Sequence, residues 1–184
     1  IAVMVNMMSV FSSAFTILFM FWSSTILLKK LISQFPDQNL KGEQAIHVNK
    51  NNAIVILGSA FVGSLAYTFS DSFWFNAVEA EVYAMATLLI ALLFWLGLRW
   101  EQDMLNPRGN RWLLLISLVI GLSFGVHYMA LLKIAAIGFL YYFKQSKKIT
   151  IKNFIISNVV VGVGLLFIFK LFLPWTMHFF ANAV

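Results

Sequence analysis

"VMVNMMSVFSSAFTILFMFWSSTILL" fills residues 3–28 without one charged side chain. A helix needs about 20 apolar residues to cross a hydrocarbon core of ~30 Å, so this stretch is long enough to span a bilayer. It has no basic leading region and no small-residue cleavage site, and its apolar part is too long for a secretory signal; it is expected to stay in the membrane. Uncharged stretches at 51–70, 82–98 and 153–169 repeat the pattern, and a longer one, Trp112 to Phe143, is broken only by His127 and Lys133. Composition agrees: 61% of residues are hydrophobic and 11% charged, where a soluble domain carries about a quarter charged. Strand edges facing lipid leave backbone groups unsatisfied, so the spans must be helices. The expected fold class is all-α, a polytopic transmembrane helical bundle. Its helices are placed near 3–28, 51–70, 72–98, 112–126, 128–143 and 153–173, in a single transmembrane domain over 1–184.

Basic residues orient the spans, because short cytoplasmic loops collect Lys and Arg. Lys29, Lys30, Lys41 and Lys50 follow the first stretch; Arg99, Arg108 and Arg111 follow the third; Lys144, Lys147, Lys148 and Lys152 precede the last. Eleven of the thirteen cations thus fall in three loops of one side. The net charge of +6 reads as a topology signal, and nucleic acid is not an expected partner. The arrangement fits an inner (cytoplasmic) membrane protein with residues 29–52, 99–111 and 144–152 inside and 71–81 outside.

For this to hold, residues 112–143 must cross and return. Two arms of about 15 residues reach roughly 22 Å each, short of the bilayer core. A turn near Gly125, Val126 and His127 would give two short helices or a re-entrant hairpin. The alternatives are one long tilted helix, or a single span over 112–132 that would carry "KQSKK" outside. The first residue is Ile and the tail reads "HFFANAV", so the chain is expected to be an excerpt of a longer protein. Without Cys there are no disulfides and no thiolate metal sites.

The non-cytoplasmic loop holds Asp71, Glu79 and Glu81 and no base, whereas Asp37, Glu43, Glu101 and Asp103 lie among cations. Asp71 at a helix start is ordinary, since Ser70 or Asp71 can cap and the helix dipole favours an anion. Glu79 and Glu81 border an apolar run, where ionisable groups usually face a cavity or pathway. On one continuous helix their side chains would point roughly 200° apart, so only one could face a given site. Phe73, Trp74, Phe75 and Tyr83 read as an interfacial belt or as substrate-stacking rings, and Trp100 and Trp112 as belt residues. Gly121 and Gly125 have the small-xxx-small spacing of close helix packing; Gly162 and Gly164 are too short a pair for a dinucleotide fingerprint and are read as packing residues. His127 falls on the acidic side, as a helix-packing hydrogen bonder or a functional group. Lys133 either snorkels or offers its charge to a lipid phosphate.

"FSDSFWFNAVEAEVYAM" at 69–85, "FWLGLRWE" at 94–101 and "GLSFGVHYMALL" at 121–132 resemble the bacterial membrane proteins related to the animal transmembrane protein O-mannosyltransferase, in the GT-C glycosyltransferase superfamily. With "VMVNMMSVFSSAFTILF" these pieces span most of 3–143. The resemblance implies a GT-C-like bundle and a multi-pass enzyme working at the non-cytoplasmic face. Such an enzyme takes a mannose-like sugar from a polyprenyl-phosphate donor held in membrane lipid and transfers it to a protein acceptor hydroxyl. Glu81, the acid of "AEVY", matches most closely, followed by His127 in "GVH". Taken together with the residue pattern above, the candidate site has Glu81, Glu79 and Asp71 as catalytic acids, and His127, Trp74, Tyr83 and Lys133 as substrate-binding residues. No cofactor is certain; a divalent cation is left open as a counter-charge for the leaving phosphate, with no metal ligands assigned. The family's acidic motif in its first external loop has no counterpart here and would lie upstream of Ile1, so residues 1–184 alone are expected to be inactive.

Two other classes remain. A transporter of a lipid carrier or small molecule would place ionisable groups near the midplane and carry inverted repeats, and no convincing repeat is present. A non-catalytic membrane anchor of a complex would need no outer acids.

Overall fold

A computed structural model describes residues 2–34, 50–79, 82–127, 132–145 and 150–183. Every element among them is helical: α1 Ala2–Gln34, α2 Lys50–Thr68, α3 Asp71–Val78, α4 Val82–Asp103, α5 Asn110–Phe124, α6 Leu132–Gln145, α7 Ile151–Phe167, and α8 Leu173–Ala183 after a π-helical turn at Ile168–Phe172. Val3–Gln34, Val82–Asp103 and Ile151–Asn182 are each long and apolar enough to cross a membrane. The pair α2 and α3, bent by 66°, counts as a further span if taken together. Contacts divide the chain into two compact units, 1–130 and 131–184.

In the first unit α1 and α4 run parallel. The Ser12 hydroxyl donates to Met85 Sδ at 3.7 Å, and Lys30 Nζ donates to Glu101 Oε1 at 2.9 Å. The seam of α1 is made of Ser9, Ser12, Ser13, Thr16 and Ser23, all buried. Spacings of three and four residues put them on one helix face. Lipid is as apolar as leucine, so helices in a membrane gain from close backbone approach, and small residues permit it. Ala84, Ala86 and Gly97 are buried on α4. Thr16 satisfies its hydroxyl locally by donating to the Ser12 carbonyl at 2.8 Å. Phe61, Ser64 and Leu65 of α2 face Ala14, Ile17 and Phe21 of α1, and Thr68 faces Val10 and Ser13. Later residues of α2 therefore meet earlier residues of α1, and the two helices are antiparallel.

The single helix expected over 72–98 is two. α3 ends at Val78, and Glu79 is extended at φ −86°, ψ 141°, before α4 opens at Val82. The expected interruption of 112–143 takes the form of two short helices, α5 of 15 residues and α6 of 14. The helix dipoles end at Phe124, where the Gly125 and Val126 amides close the last turn onto Leu122 and Ser123 carbonyls. Neither Gly121, Gly162 nor Gly164 has a described neighbour within 4 Å of where a Cβ would sit. Among the described residues, the close packing expected at these three is not formed.

In the second unit α6 packs on α7 through Phe139, Phe143 and Phe154, with ring centroids 6.4 Å apart from Phe154 to each partner. Gly138 permits the approach: a Cβ there would stand 3.3 Å from Val161 Cγ2. The helix expected to end near residue 173 continues past Pro174 to Ala183. Proline lacks an N–H and its ring clashes with the carbonyl four residues back, so a helix that continues past it kinks or readjusts its hydrogen bonds locally. The π-turn at Ile168–Phe172, just before Pro174, is such a local readjustment.

Candidate functional site

The antiparallel and parallel pairings gather opposite charges at opposite ends of the first unit. One end holds the start of α1, the end of α2, α3, the start of α4 and the end of α5. Asp71 sits in the first turn of α3 and is exposed, as is Glu79 just past its last residue. Ser70 occupies the cap position without capping: its hydroxyl donates back to the Tyr67 carbonyl at 2.8 Å. Asp71 at the positive end of the α3 dipole is thus the remaining local reason for an acid there. Glu81 and Ala80 lie outside the described residues. The break at Glu79 removes the premise that Glu79 and Glu81 share one helix at a fixed angle.

Tyr83 and His127 come together at this end. Tyr83, half-exposed in the first turn of α4, places its ring 6.0 Å from the imidazole of His127, at an interplanar angle of 44°. His127 is held by its backbone amide, which donates to the Ser123 carbonyl at 2.8 Å. A phenol and an imidazole side by side offer two hydrogen-bonding groups that a phosphate or sugar hydroxyl can use. The aromatic cluster of α3 divides. Phe73 is buried against Tyr67 at 4.7 Å, so it belongs to the core and not to an interfacial belt. Trp74 and Phe75 are exposed, with Trp74 stacked on Phe69 at 6.4 Å. Trp74 also lines an apolar cavity of about 240 Å³ between α1, α2 and α3. Into that cavity faces Ser13, whose buried hydroxyl has no hydrogen-bond partner. Lys133 stands in the first turn of α6, in the second unit. Among the described residues no three of His, Asp and Glu converge; a divalent cation at this mouth would draw on residues outside them.

The opposite end is basic and more tightly knit than its sequence suggests. Glu101 is only 6% exposed and pairs with Lys30, which ties α4 to α1. Trp100, expected in a belt, is buried. Trp112 is held on three sides: its indole N–H donates to Asp103 Oδ2 at 2.9 Å, the Arg99 guanidinium lies 5.5 Å from its ring centre, and Trp95 meets it edge-on at 6.3 Å. Asp103 Oδ1 accepts from the Asn106 amide at 3.1 Å. The α4–α5 turn closes with Asn106 N–H on the Asp103 carbonyl and Gly109 N–H on the Asn106 carbonyl, both at 2.9 Å. Gly109 is required by space and not by conformation. Its φ of −57° suits any residue, but a Cβ would run into the Asp103 carbonyl oxygen.

A bundle of long apolar helices, with acids and an aromatic–imidazole pair at one end and cations at the other, defines a polytopic membrane protein. The family model described as the protein O-mannosyl-transferase TMEM260 N-terminal domain matches residues 1–150, and the chain belongs to that family. It is a protein O-mannosyltransferase-related membrane protein. No curated protein and no solved structure matches it.

Proposed function

We propose that the full-length protein transfers a mannose-like sugar from a polyprenyl-phosphate carrier to a protein hydroxyl, at the acidic, non-cytoplasmic end of the first unit, in a GT-C-type bundle of the inner membrane. The observation that carries this reading is the segregation of Asp71, Glu79, Tyr83 and His127 to one end of a family member's bundle. A lipid-linked donor keeps its tail among helices and its phosphate and sugar at the membrane surface, where these groups lie. The acceptor oxygen attacks the anomeric carbon and the bond from that carbon to the phosphate oxygen breaks. Polyprenyl phosphate leaves with the electron pair, and a carboxylate takes the hydroxyl proton. Glu81 is assigned that carboxylate on its place in "AEVY"; Tyr83 and His127 are assigned hydrogen bonds to the phosphate or sugar. Glu79, exposed and extended, serves as a solvated flank.

Positioned general bases contribute typically 10²–10⁴ in rate, so Glu81→Gln in the full-length protein should lower transfer by about 10²-fold or more. Glu79→Gln should cost little. Transfer from polyprenyl-phosphate mannose to an acceptor peptide is the measurement, with membrane levels of both variants matched to wild type. Near-normal transfer by Glu81→Gln refutes the assignment, and loss on Glu79→Gln alone places the base on the other residue.

A further inference from the structure

A cavity of the first unit lies at the other end from the acids. About 610 Å³ in volume, it is bounded by the α4–α5 turn and the start of α5, and its lining includes Arg108, Arg111, Trp112 and Leu115. Arg108 and Arg111 are exposed and neither pairs with a described carboxylate. Asp103 also borders the cavity, its carboxylate held by the Trp112 indole and the Asn106 amide. Two guanidinium groups against one carboxylate leave the lining net positive. Guanidinium groups suit phosphate because their planar fork can donate two hydrogen bonds at once.

The direction of α5 decides what kind of phosphate. Arg111, Leu115, Leu118 and Leu122 are spaced by four, three and four residues, so they fall on one helix face. All three leucines are exposed. From residue 111 to residue 122 the helix rises about 16 Å, close to half of the ~30 Å hydrocarbon core, which is the depth of one leaflet. A basic pocket at the head of an apolar track of leaflet length matches a phospholipid, whereas a soluble phosphate would use the pocket and leave the track unused. Trp112 sits at the level where the two meet, the usual place for an indole in a membrane protein.

We propose that this cavity is a specific site for an anionic phospholipid, with its phosphate between Arg108 and Arg111 and one acyl chain along Leu115, Leu118 and Leu122. The site is separate from the acidic mouth and does not depend on the transfer reaction. Basic pockets between membrane helices recognise anionic headgroups in this way.

The test uses the full-length protein in neutral detergent, offered phosphatidylglycerol or phosphatidylcholine and weighed by native mass spectrometry. Wild type should retain phosphatidylglycerol over phosphatidylcholine by roughly tenfold, as two surface cations permit. Arg108→Gln/Arg111→Gln should abolish the preference, Arg108→Lys/Arg111→Lys should keep part of it, and Lys152→Gln, a charge removed elsewhere, should leave it unchanged. Millimolar inorganic phosphate should not displace the lipid. Equal retention of the two lipids, an unchanged preference in the double Gln variant at wild-type thermal stability, or equal loss on Lys152→Gln would overturn the proposal. Displacement by inorganic phosphate would also overturn it, and would point to a soluble phosphate ligand.

Discussion

Replacing Gly109 with Ala should destabilise the protein, against the usual sign for that change. At φ −57° the residue is already helical, and Gly→Ala at a compatible position normally gains about 0.4–1 kcal/mol by restricting the unfolded chain. Here the added methyl would collide with the Asp103 carbonyl oxygen, stand 3.0 Å from the Asp103 carbonyl carbon and 3.2 Å from the Asn106 oxygen. All three are backbone atoms, so no side chain can swing aside. The turn must open instead, which strains two hydrogen bonds of 2.9 Å and draws Asp103 away from the Trp112 indole. Overpacking of this kind costs about 1–3 kcal/mol, and each weakened hydrogen bond adds roughly 0.5–1.5 kcal/mol. A net loss of about 1–5 kcal/mol follows once the unfolded-state gain is subtracted. Unfolding of the full-length protein by SDS titration in mixed micelles, followed by tryptophan fluorescence, measures it. A neutral or stabilising Gly109→Ala would refute the reasoning, because it would mean that the turn does not close as described.

Ser12→Leu should push α1 from α4 at a cost of about 1–3 kcal/mol, while Ser12→Ala, which loses only a weak bond to Met85 sulfur, should be tolerated; thermal unfolding in detergent separates them, and a Leu variant as stable as wild type would argue against the small-residue seam. The proposed orientation predicts that Ser72→Cys is labelled by an impermeant maleimide in intact cells and Gln102→Cys is not, in a background cleared of other thiols. The reverse pattern would place the acidic end inside.

The helical spans were legible because uncharged runs of about 20 residues have few other solutions. The division of charge between the two ends was legible for a similar reason, since Lys and Arg cluster between spans whether or not they touch anything. What escaped were contacts between distant residues of matching size. Lys30 and Glu101 could be assigned to the same side, but their pairing depends on α1 and α4 running in parallel, which no local pattern reveals. The serines of α1 did stand at spacings of three and four, and that signal could have marked the seam. Phe73 and Trp100 were misjudged because ring chemistry is the same in a belt and in a core, and only the neighbours tell them apart. The glycines inverted expectation. Gly109, in an ordinary turn by sequence, is tightly enclosed, while Gly121 and Gly162 meet no neighbour among the described residues. At the acidic mouth the pairing of Tyr83 with His127 came from the return of α5 alongside α4, and the break at Glu79 came from no residue with a known breaking tendency.

The parallel register of α1 and α4 makes the first unit a gauge of bilayer thickness. Its two fixed points, Ser12 with Met85 and Lys30 with Glu101, are anchored at opposite ends. From residue 12 to residue 30 α1 climbs about 27 Å, and from 85 to 101 α4 climbs about 24 Å. Sliding one helix against the other would unseat the small residues packed between them and part Lys30 from Glu101, and one inserted residue in either would turn the far contact by about 100°. The unit therefore cannot adapt to a thicker membrane by shifting one helix against the other; it must tilt as a body or let the lipid deform. Membranes near that height suit it best, and a change of lipid chain length would be felt first at the two polar ends, where the acids and the arginines sit.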